Sequence, residues 1–215
     1  MNERILVPVI LAVFLLAGSL GLSRVPGPYG DNARYIILAQ SLIQGKGLAK
    51  INFPDEAAEK KIPVVYPLVL AILITLFGCN ILILKASSMV FMALALLLFY
   101  FFMRMLKLPV AERLIVLFLL AVSAVNLEYS REVFSESLFV LLTCGVIFLV
   151  SMFERDNKVE FLFAGLFLGI IAFFTRDAAI IVFIAAAVIL LRKRSMGLSG
   201  AALVFVAGLS VFWFY

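Results

Sequence analysis

The chain has 215 residues, 65% of them hydrophobic and only 14% charged, with a mean hydropathy of +1.19, which excludes an ordinary water-soluble domain. The net charge of +5 does not mark a nucleic-acid binder, because the basic residues sit in short clusters between apolar runs, the positive-inside pattern of membrane proteins. There is no histidine, which excludes histidine metal sites and histidine acid–base chemistry within the chain.

Apolar runs cover roughly residues 5–23, 64–78, 81–103, 113–127, 137–153, 160–175, 178–191 and 198–215. They are continuous rather than alternating, so they predict an all-α polytopic transmembrane bundle and not a β-barrel. The first run follows Arg4 and could be misread as a secretory signal. Its near-spanning length, and the hydrophobic segments after it, predict an uncleaved first transmembrane helix.

Next comes "GDNARYIILAQSLIQGKG" from Gly30 to Gly47. Tyr35, Leu38, Ala39 and Leu42 form one helical stripe, and Gly45 is placed to end the helix in a left-handed cap. Asp31 has two readings here. It is the N-cap that satisfies the first free amides, or it is a base at the bilayer surface that takes a proton from an acceptor hydroxyl. Asp55, Glu56, Glu59, Lys60 and Lys61 form a mixed-charge run expected to be solvated, with Lys61 placed to touch a lipid headgroup. Tyr29 and Tyr66 read as interfacial anchors.

The run 64–78 is among the shortest, about 15 residues, and contains Pro67. At 1.5 Å per residue it falls short of a hydrocarbon core of about 30 Å. If every run crossed, the basic clusters 104–113, 155–158 and 192–194 would all face outward, against the positive-inside bias. Treating 64–78 as an interfacial or re-entrant helix leaves about seven spans and turns those clusters, with Arg4, toward the cytoplasm. Residues 24–80 then form one long extracytoplasmic loop carrying interfacial helices, and Asp31 stands at its start.

"NLEYSREVFSESLFVLL" carries Glu128, Arg131, Glu132 and Glu136 where one span passes into the next. Ser135 is a natural N-cap with Glu136 suiting the helix dipole; alternatively Glu136 is the functional member of a dense polar cluster at membrane depth. "FFTRDAAII" places Arg176 and Asp177 between two apolar helices. They form a salt-bridged turn, or Arg176 binds an anionic group through its planar fork, a role open to Arg131 too. Cys79 and Cys144 lie far apart, with no metal-ligand spacing and no expected disulfide. Residues 1–215 read as one transmembrane domain, and the end inside an apolar run suggests the front part of a longer protein.

In this order the motifs resemble the N-terminal half of the GT-C superfamily of membrane glycosyltransferases, of the dolichyl-phosphate-mannose protein mannosyltransferase and aminoarabinose-transferase type. The resemblance puts Asp31 at the family's catalytic acid, with Asn32 replacing a second acid. "PVVYPLVLAILITLFG" looks like the family's proline-led helix, "MRMLKLPVAER" like its basic cytoplasmic turn, and "SREVFSESLF" like its Arg-and-acid segment with Glu136 as the acid. "FFTRDAAIIVF" is similar to the Thr-Arg turn that follows.

The resemblance implies a glycosyltransferase of a prokaryotic plasma membrane, N-terminus cytoplasmic. It would move a sugar from a polyprenyl-phosphate donor to an acceptor hydroxyl, on lipid, protein or glycan, at the extracytoplasmic face. Asp31 and Glu136 would be catalytic, and Arg131, Arg176, Tyr35 and Lys61 would bind substrate. The resemblance names no certain cofactor and leaves a divalent cation open, since carboxylates bind such ions through oxygen. Two other readings stand: a transporter or flippase fragment handling a lipid-linked sugar, or a non-catalytic membrane subunit.

Overall fold

The structure, a computed structural model, describes residues 2–27 and 30–192. Tyr29, Lys193, Arg194 and the last apolar run lie outside the described residues. The chain divides into two compact units, residues 1–141 and 142–215. Among the described residues the regular structure is helical, with a single isolated bridge between Ala49 and Ala58 and no strand.

In the first unit, α1 (Glu3–Ser19), α4 (Ile81–Met105) and α5 (Val110–Ala121) bury a shared apolar core. Val7, Ile10 and Phe14 meet Met92, Leu96 and Tyr100 from α4 and Leu114 and Leu117 from α5. Glu3 fixes one end of this core: it accepts from the Tyr100 hydroxyl at 2.5 Å and pairs with Arg113 at 3.0 Å. At the other end Gly18 packs on Met89. The two contacts make α1 antiparallel to α4.

The run expected as one helix over 113–127 is broken. α5 stops at Ala121, Ser123 takes an extended backbone, and α6 (Ala124–Ser130) leaves at 55°. The break frees a carbonyl at Leu120, and the Asn126 amide donates to it at 2.9 Å.

α2 (Gly30–Ile43) packs against α3 (Val65–Phe77). Gly45 follows α2 with φ +72°, the left-handed conformation that its lack of a Cβ permits. The loop between them is tied by the Glu59 amide donating to the Leu48 carbonyl at 2.7 Å and the Lys50 amide to the Ala57 carbonyl at 3.0 Å. α3 is 13 residues long, so it spans about 20 Å against a core of about 30 Å.

α7 (Ser135–Asp156) begins in the first unit. In the second unit its later turns meet α8 (Val159–Phe173), where Gly165 lies against Val150. A 3-10 turn (Asp177–Ala179) leads into α9 (Ile180–Arg192), and Phe183 packs on Gly169.

Among the described residues, α4 and α7 are long and apolar enough to cross a membrane, and the bent pair α5–α6 adds a third if it counts as one span. The remaining apolar runs of the described chain are longer than the helices they form, because their ends go into turns. Leu20–Ser23 leave α1 and Phe174–Thr175 leave α8.

Candidate active site

α2 begins at Gly30, so Asp31 stands inside the first turn with helical backbone and is not the N-cap, a position that takes non-helical dihedrals. Its charge still lies at the positive end of the helix dipole. The side chain is exposed, and among the described residues no ion pair engages it.

Asn32 points the other way. It is fully buried, and its Oδ1 accepts from the Val133 amide at 2.6 Å. The neutral amide suits this place, since a second carboxylate there would be an ionised group taken out of water. One turn on, the Tyr35 hydroxyl lies 3.0 Å from Ser135 Oγ. The ring of Tyr35 meets Tyr66 edge to face, centroids 4.8 Å apart.

Tyr66 is therefore no interfacial anchor. It is fully buried, with its hydroxyl 3.4 Å from Ser88 Oγ. Burial pushes its phenol far above the ordinary value, and the Glu136 carboxylate acts in the same direction. Ser135 opens α7 and directs its hydroxyl to Tyr35, and Glu136 follows, half-buried, in the first turn. The heads of α2 and α7 thus meet through Asn32, Tyr35, Val133 and Ser135.

Arg131 precedes α7 and is committed to α1. Its Nη2 donates to the Ala17 carbonyl at 2.6 Å and its Nε to the Gly18 carbonyl at 3.2 Å. Both carbonyls lie in the last turn of α1, where the helix runs out of amides to fill its carbonyls; Gly18 also accepts from the Gly21 amide at 3.1 Å. Beside it opens a cleft of about 500 Å³ lined by Gly21, Val122, Leu127, Glu128, Arg131 and Glu132.

Lys61 is exposed at the foot of α3, and its backbone amide donates to Glu59 Oε1 at 2.9 Å. The run around it is not wholly solvated. Glu59 is buried and pairs with Arg34 at 2.5 Å and Lys50 at 3.5 Å. Burial alone would raise its pKa, but Arg34, the Lys61 amide and Lys50 outweigh it and hold the carboxyl below its ordinary value.

Arg176 belongs to the second unit. Its backbone is extended and it leads the 3-10 turn, its carbonyl accepting from the Ala179 amide at 3.0 Å. Among the described residues no three acidic or cysteine side chains gather as a metal site.

The sequence reading missed Lys85. It lies in the second turn of α4, 1% exposed, donating to Ser23 Oγ at 3.1 Å and pairing with Glu132 Oε2 at 3.4 Å. A lysine inside an apolar run was the available signal, because an ionisable group at membrane depth requires a partner.

No curated protein and no solved structure matches the chain. The sequence profile of the dolichyl-phosphate-mannose-protein mannosyltransferase family matches residues 61–215, well over half the chain, a span that includes Lys61, Arg131, Glu136 and Arg176 and begins after Asp31 and Tyr35. By that match the chain belongs to the dolichyl-phosphate-mannose-protein mannosyltransferase family, membrane glycosyltransferases of the GT-C type.

Proposed function

We propose that this membrane glycosyltransferase moves a sugar from a polyprenyl-phosphate donor to an acceptor hydroxyl at the extracytoplasmic face of a prokaryotic plasma membrane. The observation that carries the reading is the meeting of two helix heads, each bearing an acid: Asn32 Oδ1 accepts from Val133 at 2.6 Å beside Asp31, and Tyr35 reaches Ser135 beside Glu136. A base held on a rigid helix terminus suits proton abstraction at a water–lipid boundary.

In this reaction Asp31 accepts the proton of the incoming hydroxyl as its oxygen bonds to the anomeric carbon. The bond from that carbon to the phosphate oxygen breaks with inversion, and the electron pair leaves on the polyprenyl phosphate. Glu136 binds the sugar or orients the acceptor, and Tyr35 lines the same place. Arg131 uses two of its five N–H donors on α1, which leaves donors for the departing phosphate beside the cleft it lines. Lys61 is a further cation for the phosphate or headgroup, and Arg176, in the second unit, is a cation open to an anionic group. The bilayer-crossing count of about seven belongs to the same proposal, with α3 not crossing and α1 and α8 completing their spans through flanking turns.

Asp31→Asn is the direct test. Sugar transfer from a polyprenyl-phosphate donor in membranes should fall about 10²- to 10⁴-fold while expression and melting behaviour stay unchanged. Turnover equal to the unaltered chain would remove Asp31 from the reaction.

A further inference from the structure

Three consecutive residues at the entry to α7 are tied to three different helices. Arg131 grips the last carbonyls of α1, Glu132 pairs with Lys85 of α4, and Val133 donates to Asn32 of α2. This segment, between the end of α6 and Ser135, lies outside regular helix, so intrahelical hydrogen bonds do not set its course. Tertiary ties set it, and the next residues it delivers are Ser135 and Glu136.

The Lys85–Glu132 tie is the costly one. Lys85 is all but fully buried, and Glu132 Oε2 is buried with the ammonium at 3.4 Å and no hydrogen bond. A buried pair of this kind recovers little net stability from its desolvation, so its return lies in the arrangement it specifies. The surroundings are built to keep it. Ser23 Oγ accepts a hydrogen bond from Lys85 at 3.1 Å, and Gly27 leaves the space that the Glu132 carboxylate occupies, where any Cβ would collide with it.

We propose that Lys85 and Glu132 are a positioning pair: from α4, Lys85 holds Glu132, and through it sets where the head of α7, with Glu136, stands against the head of α2, with Asp31. The inference rests on the function proposed above, and neither residue touches the reacting atoms. In geometry-limited chemistry a displacement near 1 Å can cost about 10²-fold in rate, so the pair acts on kcat and not on donor binding.

The test uses the full chain with Cys79→Ser and Cys144→Ala, and spin labels at Ala33→Cys on α2 and Val140→Cys on α7. Lys85→Met alone strands the Glu132 charge, whereas Lys85→Met with Glu132→Gln removes both charges and protects the fold. Both should broaden the label-to-label distance distribution and lower kcat about 10- to 100-fold, with donor KM within about twofold. Lys85→Arg, which keeps the pair, should restore the narrow distribution. An unchanged distribution with unchanged kcat in the double variant overturns the proposal. The distance measurement requires no turnover, so it still judges the pair if the unaltered chain transfers no sugar, a result that would instead remove the function proposed above.

Discussion

A carboxylate at position 32 would be fully enclosed next to Asp31, with the Val133 amide as a partner, whereas Asn32 gives that amide an acceptor without a charge. Substituting Asn32→Leu keeps the branched shape and deletes the acceptor, leaving a buried N–H unpaired. The expected cost is about 1–3 kcal/mol of stability, read from thermal unfolding in detergent. Asn32→Asp should also destabilise, by burying charge. The resemblance marked position 32 as a departure from an acid pair. The contact with Val133, 101 residues away along the chain, is what explains it. Tyr66 and Ser135 follow the same logic. Each is a residue type common at membrane interfaces or caps, and each is claimed instead by a long-range partner.

At the scale of elements, the loop between α2 and α3 is organised around one buried acid. Glu59 joins Arg34 on α2 to Lys50 in the loop and to the backbone just before α3. Its folded-state pKa lies below the ordinary value of 4.5, so the stability it contributes is complete above that value and is lost as pH falls through the lower folded one. Comparing Glu59→Gln with the unaltered chain checks this. The gap in melting temperature should be constant near neutrality and should close below about pH 4.5. In composition, residues 55–61 look like any solvated mixed-charge run, and nothing local distinguishes Glu59 from Glu56. The same holds for the break between α5 and α6. An unbroken apolar stretch read as one helix, because hydropathy does not register the Asn126 amide that donates to the Leu120 carbonyl at the break.

For the molecule as a whole, the charges of the first unit collect at two ends. Glu3 and Arg113 mark one, and Lys85, Arg131 and Glu132 mark the other. The proposed orientation puts the first end in the cytoplasm. In a background with Cys79→Ser and Cys144→Ala, Asp55→Cys should react with a membrane-impermeant maleimide in intact cells. Lys107→Cys should react only after permeabilisation, since both positions are exposed but lie on opposite sides in that orientation. Labelling of position 107 alone in intact cells would reverse the sidedness and take the extracytoplasmic site with it.

Class, membrane residence and family were readable from the chain alone. Hydrophobic run length and charge placement are local or additive properties, and the spacing of short motifs survives without knowledge of contacts. Asp31 and Glu136 were singled out by the resemblance of those motifs to the family's, and their roles belong to the proposed function. Only the tertiary structure decided that Asn32 joins the two helix heads, that Arg131 closes α1, and that Lys85 inside an apolar run is paired with Glu132. The reason is the cost of leaving a polar group alone in an apolar interior. That cost compels a partner, while the identity of the partner depends on which distant segments the fold brings together.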